Sequence, residues 1–407
     1  MFAYNLRAIP QSQGKVYISS IPELMLVFIV FTKEIASKRI AGVDIDLINY
    51  PFCIIYFMLH LTRMIQGSGI PWKMYFFMVV TSLFSIFLLG LGFGGFMKQI
   101  IPIVIIFSVN FAIIEDYDWT NIFKLYVKFA YLSAIFGIIQ VILSYAGIYL
   151  LIGQPGRLDS IAYEPSHYAA LLVPAIVFTF FHFNEYKRMF LVMLTALILT
   201  YNLTAYLSFL LVIGFAYINP IYFIVSLPVL YYLVFFVFPN FNENFEMRIK
   251  ETIEVFKGNT QILNSQVRAN GTTVSMFSNL MVAEQNIKNN FISGAGLGGH
   301  DETYYRFYSN SVFRLNYYYG LNSQSGHSLT IRILSEFGLL GFVLYVVTLI
   351  RRLIFLDNGI FRSISFACFS HFLCKSFKLG GYIDYGTPFF FAILLVNFRQ
   401  FKLSKAN

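Results

Sequence analysis

The sequence predicts an all-α polytopic membrane protein, and three observations carry that prediction. Of 407 residues, 57% are hydrophobic and 12% charged, with a mean hydropathy of +0.67. Soluble domains carry roughly 25% charged residues, so this chain cannot clothe its apolar side chains in a water-facing surface. Its apolar runs are long and unalternated, unlike the short alternating segments of a transmembrane barrel. In hydrocarbon, backbone groups must then pair within each segment, which leaves the helix. Length alone would allow two or three soluble domains. The composition excludes them, along with a disordered chain and a disulfide-dense secreted module.

In chain order, apolar runs of spanning length or near it fall at 16–35, 45–63, 74–97, 98–115, 122–150, 168–184, 189–203, 204–218, 219–239, 329–350, 362–378 and 387–400, twelve in all. A straight span needs about 20 residues, so several are short. Residues 189–239 form one near-continuous stretch, divided at Asn202 to Thr204 and at Asn219-Pro220. Residues 1–15 are polar and the first run is long enough to be a permanent anchor, so no cleavable leader is expected. The expected organisation is a bundle of about nine spans over 1–239, an extracytoplasmic loop or lid over 240–328, and C-terminal spans over 329–407.

Lys187-Arg188 and Arg351-Arg352 in short loops, with Arg399, Lys402 and Lys405 at the end of the chain, set the orientation. With twelve spans both termini are cytoplasmic, and 151–167 and 240–328 face outside. Lys38 and Arg39 violate that arrangement. The net charge of +9, from 29 Lys and Arg against 20 Asp and Glu, fits positive-inside loops and anionic headgroups. No basic run with interleaved aromatics stands outside the membrane ends, so nucleic acid is not an expected partner. Cys53, Cys368 and Cys374 lie in or beside apolar runs without metal-ligand spacing and read as packing residues.

The 240–328 stretch departs from membrane composition. Seven basic and seven acidic residues balance there, and helical patterning shows in Glu246 to Lys257 and in Thr273 to Lys288. A structureless loop of this length is uncommon unless functional, so a small folded lid is expected. Its tyrosines (Tyr304, Tyr305, Tyr308, Tyr317, Tyr318, Tyr319) suit sugar rings and a packed core alike. The run Gly294-Ala295-Gly296-Leu297-Gly298-Gly299 has no preceding strand and reads as tight loop packing, not as a dinucleotide site.

Candidate site residues gather at the outer segments. His327, in Ser325-Gly326-His327-Ser328, stands at the mouth of a span that Ser328 can cap. Arg332 and Glu336 follow four residues apart on one helix face; they are either a functional lining or an ion pair packed between helices. Arg157 lies in the other outer segment, ahead of Glu164-Pro165-Ser166, with a snorkelling interfacial arginine as the plain alternative. Arg268 precedes a helical stretch of the large loop, where a solvated charge is the plain alternative. His60, His182, His300 and His371 have no carboxylate or cysteine at ligand spacing, so no metal site and no cofactor are expected.

The order of these segments resembles the O-antigen polymerase and ligase superfamily, most closely the Wzy-type polymerases of surface polysaccharide. The resemblance rests on Gly156-Arg157 with Glu164-Pro165-Ser166, then Arg268 ahead of Ile292-Ser293-Gly294-Ala295-Gly296, then His327-Ser328-Leu329 with Leu334 to Gly341. It covers about 157–165 and 266–341; elsewhere the similarity is of hydropathy alone. Ser328 stands where the family often has Asn, and Phe277 is the nearest aromatic after Arg268.

The resemblance implies a metal-independent glycosyltransferase of the bacterial inner membrane. It would move a growing glycan from undecaprenyl diphosphate to an incoming lipid-linked repeat unit at the outer face. Membrane lipids, a chain-length regulator and a flippase would be its partners. On that reading Arg157 and Arg268 hold the diphosphate, Arg332 adds a phosphate contact, His327 is the base or orients the acceptor, and Glu164 is the runner-up base. The alternatives are a ligase with a different acceptor and, from another class, a lipid-linked oligosaccharide flippase.

Overall fold

The computed structural model describes residues 20–32, 37–40, 43–66, 70–150, 156–162, 164–218, 270–357 and 359–406, with isolated positions between 222 and 254. Among them are thirteen α-helices: α1 (Ile21–Thr32), α2 (Asn49–Gln66), α3 (Trp72–Leu89), α4 (Phe93–Asp116), α5 (Trp119–Tyr145), α6 (Pro165–Phe181), α7 (Phe183–Leu199), α8 (Leu203–Tyr217), α9 (Gly271–Asn289), α10 (Gly299–Phe307), α11 (Leu329–Ile350), α12 (Ile360–Phe377) and α13 (Thr387–Ala406). Eleven of the apolar runs in the sequence correspond to α1–α8 and α11–α13; the run 219–239 lies almost wholly outside the described residues. Four helices, α3, α4, α5 and α11, are long and apolar enough to cross a membrane, and α1, α6 and α8 are apolar but shorter. The chain is therefore a helical, membrane-embedded protein. A short antiparallel hairpin, β1 (Ser37–Ile40) with β2 (Val43–Asp46), adds to the helices and holds Lys38 and Arg39. Its second strand alternates Val, Asp, Ile and Asp with the period of a half-buried strand, a signal too short to register beside the long apolar runs.

The membrane assignment is visible in which side chains face inward. α3 exposes Phe76 (72%) and Phe87 (84%) while burying Tyr75, Thr81, Ser82 and Ser85. In water that distribution would be inverted; against lipid it is the favourable one, because polar groups find partners only inside the protein. Ser82 Oγ accepts the Leu297 amide at 2.9 Å, and Thr81 Oγ1 donates to the Phe77 carbonyl at 2.7 Å. α12 is the central element, packed on α6, α8, α11 and α13. α6 also packs on α7, α13 on α4, and α9 on α11.

α11 is one run in the sequence but two segments in space. Gly338 has φ 61° and ψ −160°, which interrupts the helix. The backbone groups freed there are satisfied by the loop after α9. Leu339 and Leu340 donate to the Phe291 and Ile292 carbonyls at 3.0 and 3.2 Å, and the Ser335 and Glu336 carbonyls accept from Ala295 and Gly296 at 2.8 and 2.7 Å. The glycine-rich run is therefore tight loop packing against a broken helix. A Cβ on Gly338 would sit 2.5 Å from the Ile292 carbonyl oxygen, and one on Gly294 would sit 2.5 Å from that of Ser335. Both residues also have positive φ. Gly338→Ala is expected to cost about 1–3 kcal/mol in strain alone, read as a lowered melting temperature of the purified protein.

Residues 271–328 form a cap with its own small core of Val274, Phe277, Val282, Tyr304, Tyr308 and Phe313. The helix expected near Thr273 to Lys288 is α9, capped by Asn270 Oδ1, which accepts from Thr272 N at 2.9 Å. Tyr304 and Tyr308 are core residues, whereas Tyr317 is 92% exposed. Apart from Lys250, Ile253 and Glu254, residues 240–269, including Arg268 and most of the expected helix at Glu246 to Lys257, lie outside the described residues.

Candidate functional site

Segments far apart in sequence enclose a cavity of about 880 Å³. This lies within the roughly 300–1,000 Å³ of typical ligand sites. The early turns of α4 supply Lys98 and Gln99, the start of α6 supplies Glu164 and His167, and α10 supplies Asp301, Glu302 and Tyr305. The loop 320–327 brings His327, α11 brings Arg332, and the turn after α12 brings Lys378, Tyr382, Asp384 and Tyr385. Three of the residues singled out from the sequence, His327, Glu164 and Arg332, thus share one cavity.

His327 is 3% exposed. Its backbone is left-handed (φ 63°), and its carbonyl accepts the Leu379 amide at 2.8 Å, which fastens the cap to the turn after α12. Ser328 caps α11 as the sequence suggests, its side chain accepting from Ile331 N at 3.2 Å. His327 Nδ1 lies 3.1 Å from the hydroxyl of Ser275, which donates to the Leu321 carbonyl at 3.1 Å and accepts from Asn322 Nδ2 at 2.9 Å. In that arrangement Nδ1 carries the proton and donates to Ser275, which leaves Nε2 as an acceptor.

Burial, with the Lys378 charge added, pulls the His327 imidazole down to about 4, against an opposing pull from Glu164. It is neutral at neutral pH. His300, fully buried between Asn279 Oδ1 (2.9 Å) and Ser335 Oγ (2.6 Å), is pulled down to about 3 by burial and then by Arg332.

A linkage follows. Both imidazoles have folded-state values below the unfolded one, so the stability they contribute is complete above about 6.5 and is lost as pH falls through that value toward 4. For His327 alone the loss amounts to about 3 kcal/mol by pH 4. Amide exchange in α9 and α10 should therefore lose protection between pH 7 and 4. Protection unchanged across that range would contradict the buried, neutral assignment.

Glu164 is half exposed, at 52%. Burial raises its carboxyl, but His167, Lys378 and the Ser166 hydroxyl outweigh that and hold it below the usual range. Its Oε2 accepts from Ser166 Oγ at 3.1 Å and from Lys378 Nζ at 3.4 Å, with His167 Nε2 at 3.6 Å. Lys378 Nζ also donates to Ser166 Oγ at 2.9 Å. Tyr385 packs against His167 with the rings tilted by 36° (4.4 Å between centroids) and its hydroxyl 3.0 Å from Nδ1.

Arg332 is buried and heavily engaged. Nε donates to Glu336 Oε2 at 3.3 Å, Nη1 to the Gly380 carbonyl at 3.1 Å and Nη2 to Gln99 Oε1 at 2.6 Å, with the guanidinium 4.1 Å from the Tyr382 ring centre. Glu336 also accepts from Tyr382 Oη at 2.8 Å and from Gly298 N at 3.0 Å. The pair braces α4, α11, the glycine loop and the turn after α12. That geometry favours the ion-pair reading over a phosphate contact, since three of the five N–H groups are committed.

Arg157 is placed elsewhere. It does not line the cavity; its Nε and Nη2 donate to the Thr200 carbonyl at 3.3 and 3.0 Å, at the C-terminal end of α7. A cation there answers the free carbonyls and the negative end of the helix dipole. In sequence, an arginine that caps a neighbouring helix and one that binds a phosphate look the same. Conversely, Lys378, Lys98, His167, Asp384 and Tyr385 were not singled out. The polar turn Lys378-Leu379-Gly380-Gly381-Tyr382, between two late apolar runs, was the available signal.

Fold and site together define a helical, membrane-embedded protein with a large charged cavity between its bundle and a folded cap. No protein-family model matches the chain, and no curated protein does.

Proposed function

We propose that the chain is a surface-polysaccharide polymerase, which transfers a growing glycan from undecaprenyl diphosphate onto an incoming lipid-linked repeat unit at the outer face of the inner membrane. The observation that carries this reading is the convergence of His327, Glu164 and Lys378 in one polar cavity, at the start of α11, the start of α6 and the end of α12. A reaction between two lipid-anchored sugars needs a polar chamber near the bilayer, and a polar cavity among apolar helices supports that reading.

The chemistry suits the groups present. The bond between the anomeric carbon and the diphosphate oxygen breaks, and the acceptor hydroxyl oxygen takes its place on that carbon. The acceptor proton passes to a base, and undecaprenyl diphosphate leaves with the electron pair. A diphosphate needs charge neutralisation more than a proton, and preorganised cations supply that. Glu164, ionised at neutral pH, is the group equipped to take the proton. His327, neutral and fixed by Ser275, is equipped to accept a hydrogen bond from the acceptor hydroxyl and orient it. Of the two roles the sequence offers His327, this keeps the orienting one, because its imidazole is buried and fixed by Ser275, and it gives proton transfer to the runner-up base, Glu164, whose half-exposed carboxylate lines the cavity.

A flippase would carry charges along its interior. Among the described residues the buried Lys375 sits in the last turn of α12 and donates to the Gly381 and Asp384 carbonyls at 2.5 and 3.1 Å, holding the turn that lines the cavity. Purified protein given a synthetic polyprenyl-diphosphate repeat unit should produce a ladder of chain lengths on a gel. Movement of the lipid across vesicles without a ladder would support the flippase, and single transfer to a different acceptor would support the ligase.

A further inference from the structure

We infer that Lys378 is the cation that grips the diphosphate of the lipid-linked substrate, and that Glu164 and Ser166 hold its ammonium in waiting while the cavity is empty of substrate. The inference rests on the polymerase reading and assigns its anion-binding residue. Of the arginines expected to do this work, Arg157 is outside the cavity, Arg332 is locked in a buried brace and Arg268 lies outside the described residues.

Three features place Lys378 differently. Its backbone is fixed on both sides: its amide closes α12 on the Cys374 carbonyl at 3.1 Å, and the next residue, Leu379, is left-handed and pinned to the His327 carbonyl at 2.8 Å. The side chain is thus tethered next to His327 and lines the same cavity. Its ion pair is also loose. Nζ to Glu164 Oε2 is 3.4 Å, with side-chain exposures of 22% and 52%, against 3% and 1% for Arg332 and Glu336. Exposure is what separates the two pairs, and exposed pairs contribute little to stability. Finally, the ammonium has three N–H groups, of which Ser166 and Glu164 engage two.

An incoming diphosphate offers a denser negative charge than Glu164. The ammonium would swing to it, and the carboxylate so released is the base proposed above for the acceptor hydroxyl. Substrate binding and base release are then one event. Lys98, exposed on the α4 wall of the same cavity, adds a second positive charge.

The test is direct binding to the full chain in lipid nanodiscs, by isothermal titration with farnesyl diphosphate, inorganic pyrophosphate and farnesol. Wild-type protein should bind farnesyl diphosphate more tightly than either of the others. Lys378→Ala should weaken that binding about tenfold, the size of one charge-assisted contact, and leave farnesol unaffected. Lys378→Arg should retain most of it. Glu164→Gln, which removes the competitor, should tighten it severalfold; this variant carries the test if Lys378→Ala does not fold. Equal affinity of wild type and Lys378→Ala for farnesyl diphosphate, or weaker binding by Glu164→Gln, would overturn the inference and leave the polymerase reading standing. Equal wild-type affinity for farnesol and farnesyl diphosphate would remove both. Pyrophosphate binding as tight as farnesyl diphosphate would mark a free-anion site and overturn the assignment to a lipid-linked substrate.

Discussion

Glu336→Ala and Arg332→Ala are each expected to destabilise the protein by about 3–5 kcal/mol, enough to abolish accumulation of a marginally stable chain. The magnitude follows from burial. Both side chains are almost fully enclosed, and each deletion leaves the partner charge in a medium that cannot solvate it. Removing Glu336 also strips an acceptor from Tyr382 Oη and Gly298 N, and removing Arg332 leaves Gln99 and the Gly380 carbonyl without their donor. The damage therefore reaches the glycine loop, α4 and the turn after α12 together. The double variant Arg332→Met with Glu336→Leu should recover much of the loss, because it leaves no lone charge. Thermal melts in detergent check this. Single variants that melt like the wild type would show that water reaches the pair and that the brace is not structural.

His327→Ala is expected to lower chain elongation by about 10²-fold while the protein still inserts and still binds farnesyl diphosphate. The imidazole is held by Ser275 and belongs to the lining of the cavity, so its loss removes the orientation of the acceptor. Because the group is neutral from about pH 4 upward, the wild-type rate should show no inflection near 6.5 that depends on His327. Elongation is measured as the rate of ladder formation from a synthetic lipid-linked repeat. A His327→Ala rate within a few fold of wild type would confine the residue to packing the cap. Arg157→Ala, by contrast, should elongate normally wherever the helix it caps stays folded, since its guanidinium lies on the end of α7 and not in the cavity.

What was legible in the sequence followed from the solvent. Lipid leaves a chain little choice but helix, so the apolar runs became α1–α8 and α11–α13 with bounds near those expected. The break in α11 was not legible, because Phe337-Gly338-Leu339 reads as uninterrupted span; only the docking of 290–296 beside it requires the positive φ. His327 stood out because an imidazole at the mouth of a span is costly without a purpose, and Arg332 and Glu336 because charges within a run need each other. Lys378 and Glu164 are 214 residues apart, and neither position carries a local sign that the fold will join them. An interfacial lysine is ordinary until the turn after α12 is seen to lie against the start of α6. Arg157 shows the reverse: a charge in the expected segment whose geometry assigns it to a helix end.

The most direct measurement is a cryo-electron-microscopy map of the protein in nanodiscs with a lipid-linked repeat whose diphosphate is replaced by a non-cleavable methylene bisphosphonate. The account predicts bisphosphonate density within hydrogen-bond distance of Lys378 Nζ, sugar density against His327, and Glu164 parted from Lys378. An empty cavity, with the bisphosphonate bound at Arg157 or on the outer face of the bundle, would contradict it.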